Sequence, residues 1–156
     1  MIARRRALEG LCALALFASV RNARAADPTI TVSKDPSCGC CGGWVEHLRQ
    51  AGFAVEVRDV SDVNRVKARL GVPSDLAACH TAEVSGYVIE GHVPALALRR
   101  FLNEKPNAKG LAVAGMPVGS PGMEVPDALP EEYSVILFGP QRRTYARFKG
   151  AIEVLN

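Results

Sequence analysis

Nowhere in this chain of 156 residues is there an unbroken apolar run of the ~20 residues that a membrane-spanning helix needs. It has no internal repeat and no low-complexity tract, which excludes solenoids and biased linker segments. Nor is its basic surplus real. The formal charge of +3 comes from 19 Lys and Arg against 16 Asp and Glu, and the N-terminus creates it. Without Arg4, Arg5, Arg6, Arg21, Arg24 and Glu9, 14 bases face 15 acids, a net −1. Phosphate binding needs a basic face, so no nucleic-acid partner is expected.

What the N-terminus does have is the pattern of an export signal. Arg4 to Arg6 form a positive n-region, Leu8 to Val20 an apolar h-region, and Ala23-Arg24-Ala25 a small-x-small cleavage site. The expected organisation is a signal peptide over residues 1–25 and one domain over 26–156. This implies a periplasmic location with no stable membrane insertion after cleavage. Arg5-Arg6-Ala7-Leu8 is also compatible with a twin-arginine route. Cys12 leaves with the signal, so four of the five cysteines remain.

The remaining chain reads as α/β. Ile30 to Ser33 is a short β-branched run, hence a buried strand. After a turn-rich stretch, Trp44, Val45, Leu48 and Ala51 recur at helical spacing, with Gly52 as the stop. Phe53, Val55 and Val57 alternate as a second strand. Ser61 or Asp62 can cap a helix with Val63, Val66 and Leu70 on its apolar face. Thr81 to Val84 and Tyr87 to Glu90 form a hairpin around Ser85-Gly86, and Pro94 opens a third helix with Leu98, Phe101 and Leu102 inward. The order β-α-β-α-β-β-α matches a thioredoxin-like central sheet with flanking helices, its first two strands parallel. A Gly-, Pro- and Met-containing segment, Gly110 to Pro130, is too long for a simple connector and reads as a functional lid or a disordered stretch. Tyr133 to Phe138 and Thr144 to Phe148 close the domain as a C-terminal β-hairpin.

Cys38-Gly39-Cys40-Cys41 places three thiols in four residues between a strand and a helix start, where the helix dipole favours thiolate. The turn before the third strand faces that loop in such a fold, and there stands Cys79, followed by His80. Cys79 is therefore expected to converge on Cys38, Cys40 and Cys41. Three chemistries fit. Exported thiols can form two structural disulfides, although a staple over so short a loop gains little. Cys38 and Cys41 have the Cys-x-x-Cys spacing of thiol-disulfide oxidoreductases, although Cys40 and Cys79 would trap a mixed disulfide. Or the thiolates hold a soft metal. Zinc sites pair their ligands in two separated couples, whereas this crowded three-plus-one set suits Cu(I), singly or as a small polynuclear cluster. His80, His92, Met116 and Met123 are candidate auxiliary ligands, each with a plainer alternative of packing or local hydrogen bonding. His47 lies off the apolar stripe of its helix and is expected on the solvated surface, and Trp44 in the core, where it could also shield the sulfurs.

Lys34-Asp35-Pro36-Ser37-Cys38-Gly39-Cys40-Cys41-Gly42-Gly43-Trp44-Val45, Cys79-His80-Thr81, Gly86 to Pro94 (GYVIEGHVP), Gly110 to Pro117 (GLAVAGMP) and Gly119 to Glu124 (GSPGME) together closely resemble the CopG-like family. Its members are exported proteins linked to copper resistance in bacteria, long catalogued only as a domain of unknown function. The resemblance runs from about Ile30 to Phe148, with Ala114 standing where the pattern has proline. It implies a thioredoxin-like fold that binds copper through Cys38, Cys40, Cys41 and Cys79, with His80, His92, Met116 and Met123 at motif positions. Copper ions, and another exported copper protein, are the implied partners. Cu(I)/Cu(II) redox activity, and whether the protein is an enzyme at all, are left open by it.

Overall fold

The computed structural model describes residues 28–155. The expected export signal, residues 1–25, lies outside the described residues. Among those described, no helix is long and apolar enough to cross a membrane.

Eight strands form one mixed sheet in the order β2-β1-β3-β4-β5-β6-β7-β8. β1 (Ile30–Lys34) pairs in parallel with β2 (Val55–Asp59), Ile30 opposite Val55 and Lys34 opposite Asp59, and α1 (Gly39–Gln50) makes the crossover between them. The helix buries Cys41, Trp44, Val45 and Leu48, one face at three- and four-residue spacing. It starts earlier than the apolar periodicity suggests. Cys38 is its N-cap, and Cys40 and Cys41 sit inside its first turn rather than in a loop before it.

α2 (Val63–Leu70) opens on Asp62, whose side chain accepts a hydrogen bond from the Arg65 N–H at 3.0 Å, and ends at Gly71 with φ +70°. Its expected apolar stripe is only half-buried, while Lys67, which lies within it, is buried. A single 3₁₀ turn, Ser74–Leu76, leads to the antiparallel hairpin β3 (Thr81–Val84) and β4 (Tyr87–Glu90). Ser85 and Gly86 both have positive φ, 50° and 82°, as a two-residue hairpin turn of matching twist requires. α3 (Ala95–Glu104) follows Pro94 and buries Leu98 and Phe101.

β5 (Gly110–Ala112) was not apparent in the sequence. It pairs in parallel with β4 and antiparallel with β6 (Glu132–Phe138), which forms the closing hairpin with β7 (Arg143–Lys149). A two-residue β8 (Ile152–Glu153) adds the last edge.

Neighbouring residues of one strand point to opposite faces, so two cores result. Ile89, Leu111 and Leu137 face the larger one with Trp44 and Leu48 of α1 and Leu98 and Phe101 of α3. Val88, Ala112 and Phe138 face a smaller one with Leu76, against which Leu70 and Val72 pack. Because β1, β4 and β5 run in one direction and β3 in the other, the C-terminal ends of β1, β4 and β5 and the start of β3 meet at one edge. The chain there carries Cys38, Cys79-His80 and His92.

Candidate metal centre

The sequence separation of 38 and 79 disappears at that edge. The ligand atoms of Cys38, Cys40, Cys41 and Cys79 all lie within 4.8 Å of one another, close to the ~4.6 Å that two thiolates bonded to one metal at ~2.3 Å can span at most. Cys38 and Cys41 form a disulfide, their Cα atoms 5.5 Å apart. Cys40 and Cys79 are free and half-buried. The Cys40 thiol is 3.4 Å from Cys38 Sγ and 3.7 Å from Cys79 Sγ. Of the two disulfides that oxidation could form, one is present.

Cys79, His80 and His92 make a second group, their ligand atoms likewise within 4.8 Å. His80 and His92 are fully buried. His92 Nδ1 is 2.8 Å from the Pro121 carbonyl, which can only accept, so Nδ1 carries the proton. In the neutral ring this leaves Nε2 with a free lone pair 3.1 Å from Cys79 Sγ. His80 Nδ1 is 3.3 Å from the same sulfur, and its Nε2 is buried with no hydrogen-bond partner among the described residues. Buried polar nitrogens are rarely left so. Trp44 lies in the core as expected, its ring 4.3 Å from that of His80 and its Nε1–H donating to the Val93 carbonyl at 2.8 Å. It closes the apolar side of the site.

The electrostatics favour neutral donors. Burial lowers the His80 pKa well below the ordinary 6.5, aided by His92 and the Lys67 ammonium. Burial also lowers that of His92, opposed by its bond to Pro121 and by Glu124. The Cys79 thiol is pushed up to about 12, first by burial and then by Cys40, against smaller help for the thiolate from its own backbone N–H and Lys67. Two uncharged imidazoles and a protonated thiol therefore face each other at neutral pH, and a soft cation replacing the thiol proton would relieve the burial of a lone charge.

The segment after β5 is ordered against the site and is thus not the disordered alternative. Gly122, at φ +85°, lies so close over α1 that a Cβ there would be 2.5 Å from both the Cys40 carbonyl oxygen and the Trp44 nitrogen. The Gly115 N–H reaches the Ala77 carbonyl at 3.4 Å, which brings Met116, 52 % exposed, beside the Cys79 segment. Met123 follows Gly122 and is half-buried.

Two features escaped the sequence. His47 is not on the solvated surface: it is half-buried and its Nε2 accepts the Ala95 N–H at 3.0 Å, capping α3. A buried network of Lys67, Thr81 and Glu90 lies beside Cys79-His80. Its one sequence signal is a lysine inside the stripe of Val63, Val66 and Leu70.

Residues 76–123 match the family described as "Protein of unknown function, DUF411". Two solved structures are similar over most of the chain. "Copper resistance protein copG- Form 2" is 41% identical with a TM-score of 0.74, covering 78% of this chain and 98% of that one. "Copper resistance protein copG- Form 1" is 41% identical with a TM-score of 0.73, covering 80% and 99%. No curated protein matches the sequence.

Proposed function

The chain belongs to the family of the copper resistance protein CopG, and from that premise we propose that it is an exported copper-binding protein holding Cu(I) on Cys38, Cys40, Cys41 and Cys79. His80 and His92 complete the donor set, and Met116 and Met123 offer thioether sulfur from the covering loop. The observation that carries this reading is the convergence of four sulfurs within 4.8 Å of one another beside two buried imidazoles. Thiolate, imidazole and thioether are the donors that soft Cu(I) prefers, and sulfurs this crowded can bridge several ions.

Loading requires reduction first. An external dithiol reductant, itself oxidised to a disulfide, supplies the two electrons and two protons that convert the Cys38–Cys41 disulfide to two thiols, and each thiol that binds copper then gives up its proton. His92 is oriented for its part by Pro121, the carbonyl-to-imidazole arrangement that fixes tautomer and ring direction in metal sites. The thioredoxin-like reading of the framework is supported by the strand order β2-β1-β3-β4, with β1 parallel to β2 and the Cys-x-x-Cys at the start of α1. Residues 1–25 would direct export to the periplasm and be removed.

A thiol-disulfide oxidoreductase is the second reading, favoured by the disulfide already formed between Cys38 and Cys41. Against it stands Cys40, whose sulfur at 3.4 Å from Cys38 would intercept a mixed disulfide before an external thiol could.

Anaerobic titration of the reduced protein, residues 26–156, with Cu(I) separates the two. More than one copper per chain, reduced by Cys40→Ser, supports the copper site. No copper uptake, with Cys38 and Cys41 turning over against a thiol substrate, supports the oxidoreductase.

A further inference from the structure

Lys67, Thr81 and Glu90 are 5%, 1% and 0% exposed, and none of them is a donor of the copper site. Lys67 is the only buried lysine or arginine among the described residues. Its Nζ donates to Glu90 Oε1 at 2.6 Å and to Thr81 Oγ1 at 2.8 Å. Burying such a pair costs desolvation that its attraction seldom repays in full, and an apolar pair of similar volume often serves stability as well or better. Stability alone is a weak account of it.

Its placement gives another. The Glu90 carboxylate grips the chain on both sides of Cys79-His80. Oε1 accepts the Ala78 N–H at 2.7 Å, just before the dipeptide, and Oε2 accepts the Thr81 hydroxyl at 2.6 Å, just after it. The next residue of β4's exit, Gly91, donates its N–H to the His80 carbonyl at 3.2 Å. Gly91 has φ +69°, and a Cβ there would meet the Ala78 Cβ at 2.7 Å, so the two segments are too closely packed there for a side chain. His92 follows on the same strand end. One carboxylate therefore ties the segment bearing Cys79 to the segment bearing His92, whose Nε2 stands 3.1 Å from that sulfur. Lys67 holds the carboxylate in place.

We propose that Glu90, held by Lys67 and bonded to Ala78 and Thr81, is the positioning residue that fixes Cys79 against His92 and so sets how tightly Cu(I) is retained. This rests on the copper-binding reading above. Groups that orient metal ligands from behind typically govern affinity by about 10- to 100-fold, and that is the effect expected here.

Three variants test it. Lys67→Met with Glu90→Leu removes both charges together, so no lone charge is left buried, and the metal-free protein should still fold, with a melting temperature lowered by the loss of the Ala78 and Thr81 hydrogen bonds. Its Cu(I) affinity, read by competition with a chromophoric Cu(I) chelator, should fall by about 10-fold or more, and the Ala78 amide should exchange hydrogen faster. Lys67→Met with Glu90→Gln keeps an acceptor for Ala78 without charge and should recover most of the affinity. Thr81→Val keeps the ion pair and cuts one arm of the grip, with an expected loss of roughly threefold to tenfold; it keeps the test available if the leucine variant fails to fold. Wild-type affinity in a folded leucine variant, or in Thr81→Val, overturns the positioning role while leaving the copper site standing. Absence of Cu(I) uptake by the wild-type protein overturns the copper reading and the retention role with it, whereas unchanged Ala78 exchange in the leucine variant refutes the grip independently of copper.

Discussion

His92 Nε2 faces Cys79 Sγ at 3.1 Å because its Nδ1–H is committed to the Pro121 carbonyl. A residue on the loop after β5 thus decides which nitrogen of a histidine on the β4–α3 turn is free to act, and that nitrogen points at a cysteine from the turn before β3. Three segments distant in sequence are joined in one chain of contacts, and each leaves a measurable trace.

The Cys79 thiol, pushed up to about 12 by burial and by Cys40, should be protonated throughout the neutral range in the metal-free, reduced protein. Only the thiolate is nucleophilic, so Cys79 should be alkylated slowly at pH 8, more slowly than an unburied model thiol. Binding of Cu(I) at pH 7 should release its proton, detectable with an indicator dye in weak buffer. Rapid alkylation of Cys79, or binding without proton release, would contradict this environment.

All three histidines of the chain are held below the ordinary pKa of 6.5, each chiefly by burial. The unfolded chain therefore binds protons that the folded one refuses. Their contribution to stability is complete above pH ~6.5 and is lost as pH falls through the lower folded values. For His47 the loss is also structural, since a protonated Nε2 cannot accept the Ala95 N–H that begins α3. The urea midpoint of the metal-free protein should be flat from pH 7 to 8 and fall from pH 6.5 to 5. A midpoint constant down to pH 5 would show that these rings titrate as if exposed.

Gly122→Ala should destabilise the protein by roughly 1–3 kcal/mol, because the position combines positive φ with backbone on two sides. The covering loop would have to lift from α1, and Cys40 should become more reactive. Calorimetry and the alkylation rate of Cys40 report the two effects separately.

Met116→Leu with Met123→Leu preserves apolar volume and removes both thioethers. Cu(I) retention should weaken while melting temperature changes little. Unchanged affinity would reduce that loop to packing and shielding.

Much of this was legible in the chain before its fold was known. Trp44, Val45 and Leu48 at helical spacing gave α1, and Ser85-Gly86 marked the hairpin that carries Cys79 at its entry and Glu90 at its exit. The meeting of Cys79 with the Cys38 loop followed from where those elements begin and end. What was illegible had physical reasons. β5 is three residues buried on both faces, so it lacks the alternation by which strands are recognised. The true start of α1 lies among glycines and cysteines with no capping side chain. His47 and Lys67 have polar side chains whose partners come from α3, β3 and β4, and no local periodicity announces a partner across the fold.

X-ray absorption at the copper edge of the reduced protein, loaded anaerobically, tests the central claim most directly. A Cu(I) edge with a sulfur-dominated first shell, a nitrogen contribution that falls in His92→Phe, and a loss of sulfur in Cys79→Ser is the predicted result. A shell of nitrogen and oxygen alone, or a spectrum indifferent to Cys79→Ser, would contradict it.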